Sequence, residues 1–230
     1  MTFQPNRGIP TPPIAFDGGP GGVAGRITAR RVEVDGATLE RLRGACAAVV
    51  TSEDEVVEAS RDWWPLAMIW ALDGQVAAVA SVVAKPTSAD EVAAVLAVCN
   101  ETSTPATVAA GRSGVCGGSI PLHGGVALDL TGLAGIVSVD ESSMIVDALA
   151  GTFGDVLEDE LRAEHGMTVG HWPQSMALST VGGGSHAAVP GSSPLATARS
   201  RTWSSGSTSC SPTEPGSRPA VRRAQPSAQT

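Results

Sequence analysis

Ala110-Gly-Arg-Ser-Gly-Val-Cys-Gly-Gly-Ser-Ile-Pro-Leu-His-Gly-Gly125 is the stretch whose reading decides the fold. Glycine stands at 111, 114, 117, 118, 124 and 125, so backbone amides can crowd around a group that side chains would obstruct. A phosphate is the natural occupant of such a loop, because successive main-chain N–H groups bind its oxygens without ordering long side chains. Short apolar runs, Thr107 to Ala109 before and Val126 to Leu130 after, make it a connection between buried strands.

Upstream, Val76 to Val83 reads as a buried strand that stops at Lys85-Pro86, where proline removes a ladder donor. Ser88-Ala-Asp-Glu91 forms a capping box opening a helix from Ala89 to about Asn100, with Val92, Val95, Leu96 and Cys99 on one face. Thr107 to Ala110 is the next strand. Strand, helix, strand in that order demands a crossover and hence a parallel pair. Downstream, Gly135 to Val139 and Met144 to Ala150 are short strands. Thr152 is then placed to cap a helix reaching about His165 and ending at Gly166. In that helix Leu157 and Leu161 face inward, while Asp155, Glu158, Asp159 and Glu160 face outward.

Towards the N-terminus, Leu39, Leu42, Ala45, Cys46 and Val49 recur at helical spacing over Thr38 to Val50, and the acidic Ser52 to Ser60 extends or follows that helix. Trp63, Trp64 and Trp70 make a hydrophobic plug beneath the domain. Residues 1–25, rich in proline and glycine, are expected to be a disordered leader, having too little apolar surface to offset ordering entropy.

Composition narrows the classes. The formal net charge is −8, and all but one of the 23 acidic residues precede Gly184, which argues against a nucleic-acid surface. Cys46, Cys99, Cys116 and Cys210 show neither C-x-x-C spacing nor nearby histidines, so neither a metal nor a disulfide framework is expected. Met1 to Pro13 lacks a basic start followed by an apolar run. No stretch reaches the roughly 18 apolar residues of a membrane span, and a cytoplasmic protein is the expectation.

A second motif lies at Pro173-Gln-Ser-Met-Ala-Leu-Ser-Thr-Val-Gly-Gly183. Taken with the glycine loop, Pro121 to Gly125, Leu128-Asp129-Leu130, Ile136 to Asp140 and Ala150-Gly151-Thr152, this order resembles the flavin-binding domain of the vanillyl-alcohol oxidase, or PCMH-type, superfamily. The likeness is to FAD-linked oxidases, including D-2-hydroxyacid dehydrogenases and alkyldihydroxyacetonephosphate synthase. It covers about residues 76–183. It is not the Rossmann fingerprint, since Gly111-Arg-Ser-Gly114 opens no helix.

The resemblance implies an α+β fold: a small parallel β-α-β subdomain plus an incomplete second, mixed or antiparallel subdomain, together spanning residues 36–183. It implies FAD as cofactor, with the pyrophosphate held by Gly111, Arg112, Ser113, Gly114, Val115, Cys116 and Gly117. Pro173, Gln174, Ser175, Ser179, Thr180, Gly182 and Gly183 would line the flavin and its ribityl chain. Some relatives tether the flavin through a histidine in the loop; here Arg112-Ser113 stands instead, so noncovalent FAD is expected.

No catalytic residue is assigned. His171 reads as a structural histidine, Cys116 as a small buried thiol, and Asp129 and Asp140 as turn or cap residues. The full-length family acts on small-molecule substrates, by oxidation or, in the synthase branch, by alkyl transfer. The competing reading is a noncatalytic remnant or interaction protein that retains the α+β core.

Beyond Gly183 the composition turns to Ser, Thr, Pro, Ala and Arg, and residues 184–230 are expected to be a disordered, out-of-family tail. Relatives continue through a Lys-Ile-Glu-Asp-Met-Val-Val-Gly-Leu-Asp-Val-Val-Leu-Ala-Asp-Gly type segment. Permitted codons for Ala198 to Glu214 can spell it in the neighbouring frame. The expectation is therefore a C-terminally truncated chain, frameshifted near Gly184. Sequencing the coding DNA should show those nucleotides spelling the family segment one frame away; any other spelling removes the frameshift.

Overall fold

The computed structural model describes residues 8–19, 21–27, 29–170 and 172–187. The elements run β1 (Ala24–Gly25), α1 (Gly36–Ala45), β2 (Val49–Val50), α2 (Glu53–Ala59), α3 (Pro65–Leu72), β3 (Gln75–Val76), β4 (Val82–Ala84) and α4 (Ala89–Glu101). They continue through β5 (Ala106–Ala109), β6 (Val126–Asp129), β7 (Ile136–Asp140), β8 (Ile145–Ala148), α5 (Gly154–His165) and α6 (Val181–Ala187).

The central sheet has the order β2-β4-β6-β5. β4, β6 and β5 are parallel, and β2 is an antiparallel edge. The expected parallel pair, β4 and β5, is present in this sheet, with β6 inserted between them. Strand alternation explains the layers. Val82, Ala84, Val126 and Leu128 face Leu42 of α1 and Val95, Val98 and Cys99 of α4. Val83 and Ala127 point the opposite way, onto Val56 and Ala59 of α2. Helices on both faces account for the uninterrupted apolar run of these strands.

α4 begins as the capping box requires: the Glu91 amide donates to Ser88 Oγ at 3.2 Å. The Glu91 carboxylate reaches the Thr87 amide, at 2.7 Å, so the reciprocal bond closes one residue earlier than the motif specifies.

Several expectations are corrected. The helix expected to reach Val50 stops at Ala45, because Cys46 turns extended and Val49 and Val50 pair with Ala84 and Val83. The single strand over Val76 to Val83 is two short ones, β3 pairing with β1 and β4 joining the central sheet. Thr152 does not cap α5: Phe153 holds the cap position, and the Thr152 hydroxyl donates to the Leu149 carbonyl while accepting from the Gly135 amide.

Glu158, expected outside, is buried, because it has hydrogen-bonding partners there. Within the expected disordered leader, Phe16 is buried against Val57, Ala71 and Val76. Arg61 stacks on the Phe16 ring at 4.1 Å and donates to the Ile14 carbonyl. Residues 184–187, expected to be disordered, complete α6. The rest of the expected tail and the frameshift reading from Ala198 lie outside the described residues.

β7 and β8 form a separate antiparallel hairpin with a register shift between Ile136 and Ser138. It is joined to the parallel unit through β6 and a 3-10 turn, Leu130–Gly132, capped by Asp129. The indole plug is present: Trp64 and Trp70 meet edge to face, centroids 5.4 Å apart, over Ala77, Ala78 and Ile120.

Candidate functional site

The two sequence motifs meet. A Cβ placed on Gly111 would stand 2.2 Å from the Leu178 carbonyl oxygen and 3.3 Å from the Phe153 ring, so the loop after β5 lies directly on the Pro173 to Thr180 segment. That segment is a tight turn: the Leu178 and Ser179 amides both donate to the Ser175 carbonyl at 2.8 Å, and Ser179 Oγ donates to it at 2.9 Å. Thr180 is buried and bridges to Phe153. The Val181 amide donates to Thr152 and the Gly182 amide to Ala150, fixing the start of α6 to the entry of α5. A Cβ on Gly182 would lie 2.8 Å from that of Ala150.

Within the loop, the amides of Arg112, Ser113, Gly114, Val115 and Cys116 donate to no protein acceptor among the described residues. Gly114, Val115 and Cys116 are exposed. Five successive main-chain donors without internal partners are what an anionic group requires. Arg112 adopts a left-handed conformation, φ 53°, and its side chain is not simply one more donor at the rim. Burial pushes its pKa down, Asp129 and Glu58 hold the cation, and Arg61 opposes it.

Cys116, read as a buried thiol, is exposed, since the loop turns it outward between Val115 and Gly117. Gln174 is exposed at the edge of the turn, and Gly183 donates to Thr180 Oγ1 at 3.5 Å. His171 lies outside the described residues. Asp129 takes the Thr131 amide and hydroxyl, and Asp140 takes Ser142 and Ser143, whose hydrogen bonds hold the Asp140 carboxyl at about 2.

Two supports of the site were missed in the sequence. The first is Asp62-Trp63-Trp64, beneath the loop: the Trp63 amide donates to the Gly114 carbonyl at 2.9 Å, and a Cβ on Gly117 would touch the Trp64 ring at 3.2 Å. The second is Glu158, which takes the Thr168 hydroxyl at 2.6 Å and the Val169 amide at 2.8 Å, and so ties α5 to the chain leading into Pro173. A charged pair, Arg61-Asp62, set against two tryptophans and a helix-opening proline was the available signal for the first.

A cavity of about 350 Å³ lies between the N-terminal segment and α2; Leu122 and Gly124, at the end of the glycine-rich stretch, line it, but none of Gly111 to Gly117 or Pro173 to Gly183 does. Among the described residues no His, Cys, Asp and Glu side chains group as a metal site would, and no helix is long and apolar enough to cross a membrane.

Residues 80–193 match the family model described as FAD binding domain. The chain is 35% identical over 79 residues to D-lactate dehydrogenase of Anaerostipes hadrus, a match covering 34% of this chain and 17% of that protein. It is 29% identical over 100 residues to glycolate oxidase subunit GlcD of Bacillus subtilis (strain 168), covering 43% and 21% respectively. The chain thus spans about a fifth of the length of these curated relatives. Among solved structures, alkyldihydroxyacetonephosphate synthase superposes with a TM-score of 0.74 at 17% identity, covering 89% of this chain and 38% of that one, a likeness of fold.

Proposed function

We propose, from the premise that residues 80–193 are an FAD binding domain of α+β, PCMH-type fold, that the chain binds FAD noncovalently as the flavin-holding part of an oxidoreductase for small hydroxyacids. The observation that carries the reading is the run of unpartnered amides from Arg112 to Cys116, packed at Gly111 against the Leu178 turn. The residues present fit the group: the amides suit a diphosphate, and the Pro173 to Gly183 segment, with Gln174, Ser175 and Thr180, lies beside them for the flavin and ribityl chain.

Bound FAD supplies the redox chemistry, accepting the electrons of the substrate. The protein's share is to hold the diphosphate through main-chain donors, to fix the Ser175–Ser179 turn against Gly111, and to keep α6 docked on the α5 entry. Residues 36–183 form the N-terminal part of that domain in this reading. The loop contains no histidine before His123 to form a covalent tether, and both curated relatives are named for hydroxyacid oxidation. The synthase likeness, at 17% identity, carries the fold alone.

Titration of the purified chain with FAD and with riboflavin, followed by quenching of flavin fluorescence, tests the proposal. FAD should bind at least about tenfold tighter, about 1.4 kcal/mol, because riboflavin lacks the diphosphate. Acid precipitation should release all the flavin into the supernatant. Equal affinity for the two flavins, or no binding of either, overturns the reading.

A further inference from the structure

Asp62 is a carboxyl group with no exposure to solvent, and nothing in the proposed function uses it. Oδ1 accepts the Trp64 amide at 3.0 Å in an Asx turn between α2 and α3. Oδ2 is buried with no hydrogen-bond partner, and so is the indole Nε1 of the neighbouring Trp63. A buried carboxyl is costly to ionise unless donors replace the water it has lost, and here one oxygen of the two has none.

The glycine loop lies over this oxygen. A Cβ on Gly114 would stand 3.5 Å from Oδ2, and the Trp63 amide fixes that part of the loop by donating to the Gly114 carbonyl at 2.9 Å. Gly114 is nonetheless exposed, and it lies within the run of amides from Arg112 to Cys116 that donate to no protein acceptor among the described residues. One thickness of backbone therefore separates a buried carboxyl from the place proposed for a diphosphate.

The charged groups nearby are engaged with one another. α3 has no titratable residue. From α2, Glu58 pairs with Arg61 at 2.7 Å, and Arg61 also donates to the Ile14 carbonyl and stacks on Phe16. In the loop, Arg112 is held by Asp129 and Glu58, Cys116 is exposed, and His123 is exposed at the far end, where its carbonyl accepts the Val32 amide. Burial pushes the Asp62 carboxyl up, and the Trp64 amide opposes it.

We propose that Asp62 is a proton-binding site coupled to the cofactor loop: a diphosphate held at Arg112 to Cys116 draws one proton from solvent onto the Asp62 carboxyl, so FAD binds more tightly when that group is neutral. At roughly 8 Å and an effective dielectric constant of about 20, repulsion between two like charges weakens binding by more than about tenfold. This inference rests on the FAD-binding reading. FAD affinity is then complete below the flavin-free pKa of Asp62, itself above the ordinary 3.8; it falls as pH rises from there and levels off above the flavin-bound value.

Asp62→Asn keeps an acceptor for the Trp64 amide and has no proton to lose. Between about pH 5 and about pH 9, the affinity of wild type for FAD should fall by at least about tenfold, while that of Asp62→Asn should vary by less than about twofold. Riboflavin, which lacks the diphosphate, should show no such fall with either protein. A pH slope in Asp62→Asn equal to that of wild type, or a flat wild-type profile, overturns the proposal.

Calorimetry of FAD binding to wild type in two buffers of different ionisation enthalpy needs no variant. It should count at least about half a proton taken up per FAD at the pH where the affinity falls, and none with riboflavin. Absence of uptake with FAD overturns the proposal. Wild type that binds no flavin at any pH removes the functional reading itself, whereas FAD bound without pH dependence removes the coupling alone.

Discussion

Gly111→Ala should lower the unfolding temperature by roughly 5–10 °C and weaken FAD binding by at least about tenfold, a larger loss than a methyl group on Gly114 or Gly118 would cause. The new Cβ would lie 2.2 Å from the Leu178 carbonyl oxygen and 3.1 Å from its carbon, both backbone atoms. Neither can rotate away, because the Leu178 amide is itself bonded to the Ser175 carbonyl, and Phe153 closes the remaining side at 3.3 Å. Overpacking of this kind costs about 1–3 kcal/mol, and more where the obstacle is main chain.

The only relief is to move the Ser175–Ser179 turn off the loop, and that displacement separates the two motifs proposed to share one cofactor. Gly118→Ala is the control for stability: nothing lies within 4 Å of its Cβ position, so its stability should stay within about 0.5 kcal/mol of wild type. Differential scanning calorimetry of both variants checks this. A Gly111→Ala protein melting with wild type would mean that the contact is not made in solution.

How far the sequence could be read depended on whether the deciding interaction was local. The α4 start was legible because Ser88 and Glu91 act within one turn, and the α5 end because Gly166 takes the left-handed cap conformation, φ 60°. The alternation of Val82, Val83 and Ala84 with Val126, Ala127 and Leu128 was legible only as an apolar run, since burial on both faces erases the period. Strands of two residues, such as β2 and β3, leave no period at all, and their partners are 33 residues or more away in the chain.

The candidate site followed the same rule. Glycines 111, 114 and 117 and the Ser179-Thr180 pair stood out as letters. Asp62 and Glu158 did not, because a buried carboxylate has the same letter as a solvated one, and only the donors brought to it by the fold distinguish the two. The leader shows this too: Phe16 is buried by Arg61, a residue 45 positions later that stacks on its ring.

Glu158→Ala should destabilise the protein by about 2 kcal/mol, the cost of stranding buried donors, and should loosen the Pro173 to Thr180 segment in particular. Three donors converge on this carboxylate: Thr168 Oγ1, the Val169 amide and Arg162 Nε. Alanine strands the first two at a site that is only 6% exposed. Arg162 is more than half exposed, so its share is screened and small. Glu158→Gln keeps one acceptor oxygen and should recover about half of the loss.

The pH dependence carries a sign that separates the charge from the hydrogen bonds. Burial pushes the Glu158 carboxyl up, but the donations from Thr168, Val169 and Arg162, with that cation's charge, outweigh it and hold the group below its ordinary value of 4.5. A carboxylate with a lowered folded-state pKa contributes stability that is complete above its unfolded value and is lost as pH falls through the folded one. Urea midpoints of wild type should therefore drop more steeply below about pH 4.5 than those of Glu158→Gln, which has no proton to take up there. Parallel acid limbs in the two proteins would show that the 167–169 chain is held by packing. The route from α5 into the Pro173 turn would then not depend on this carboxylate.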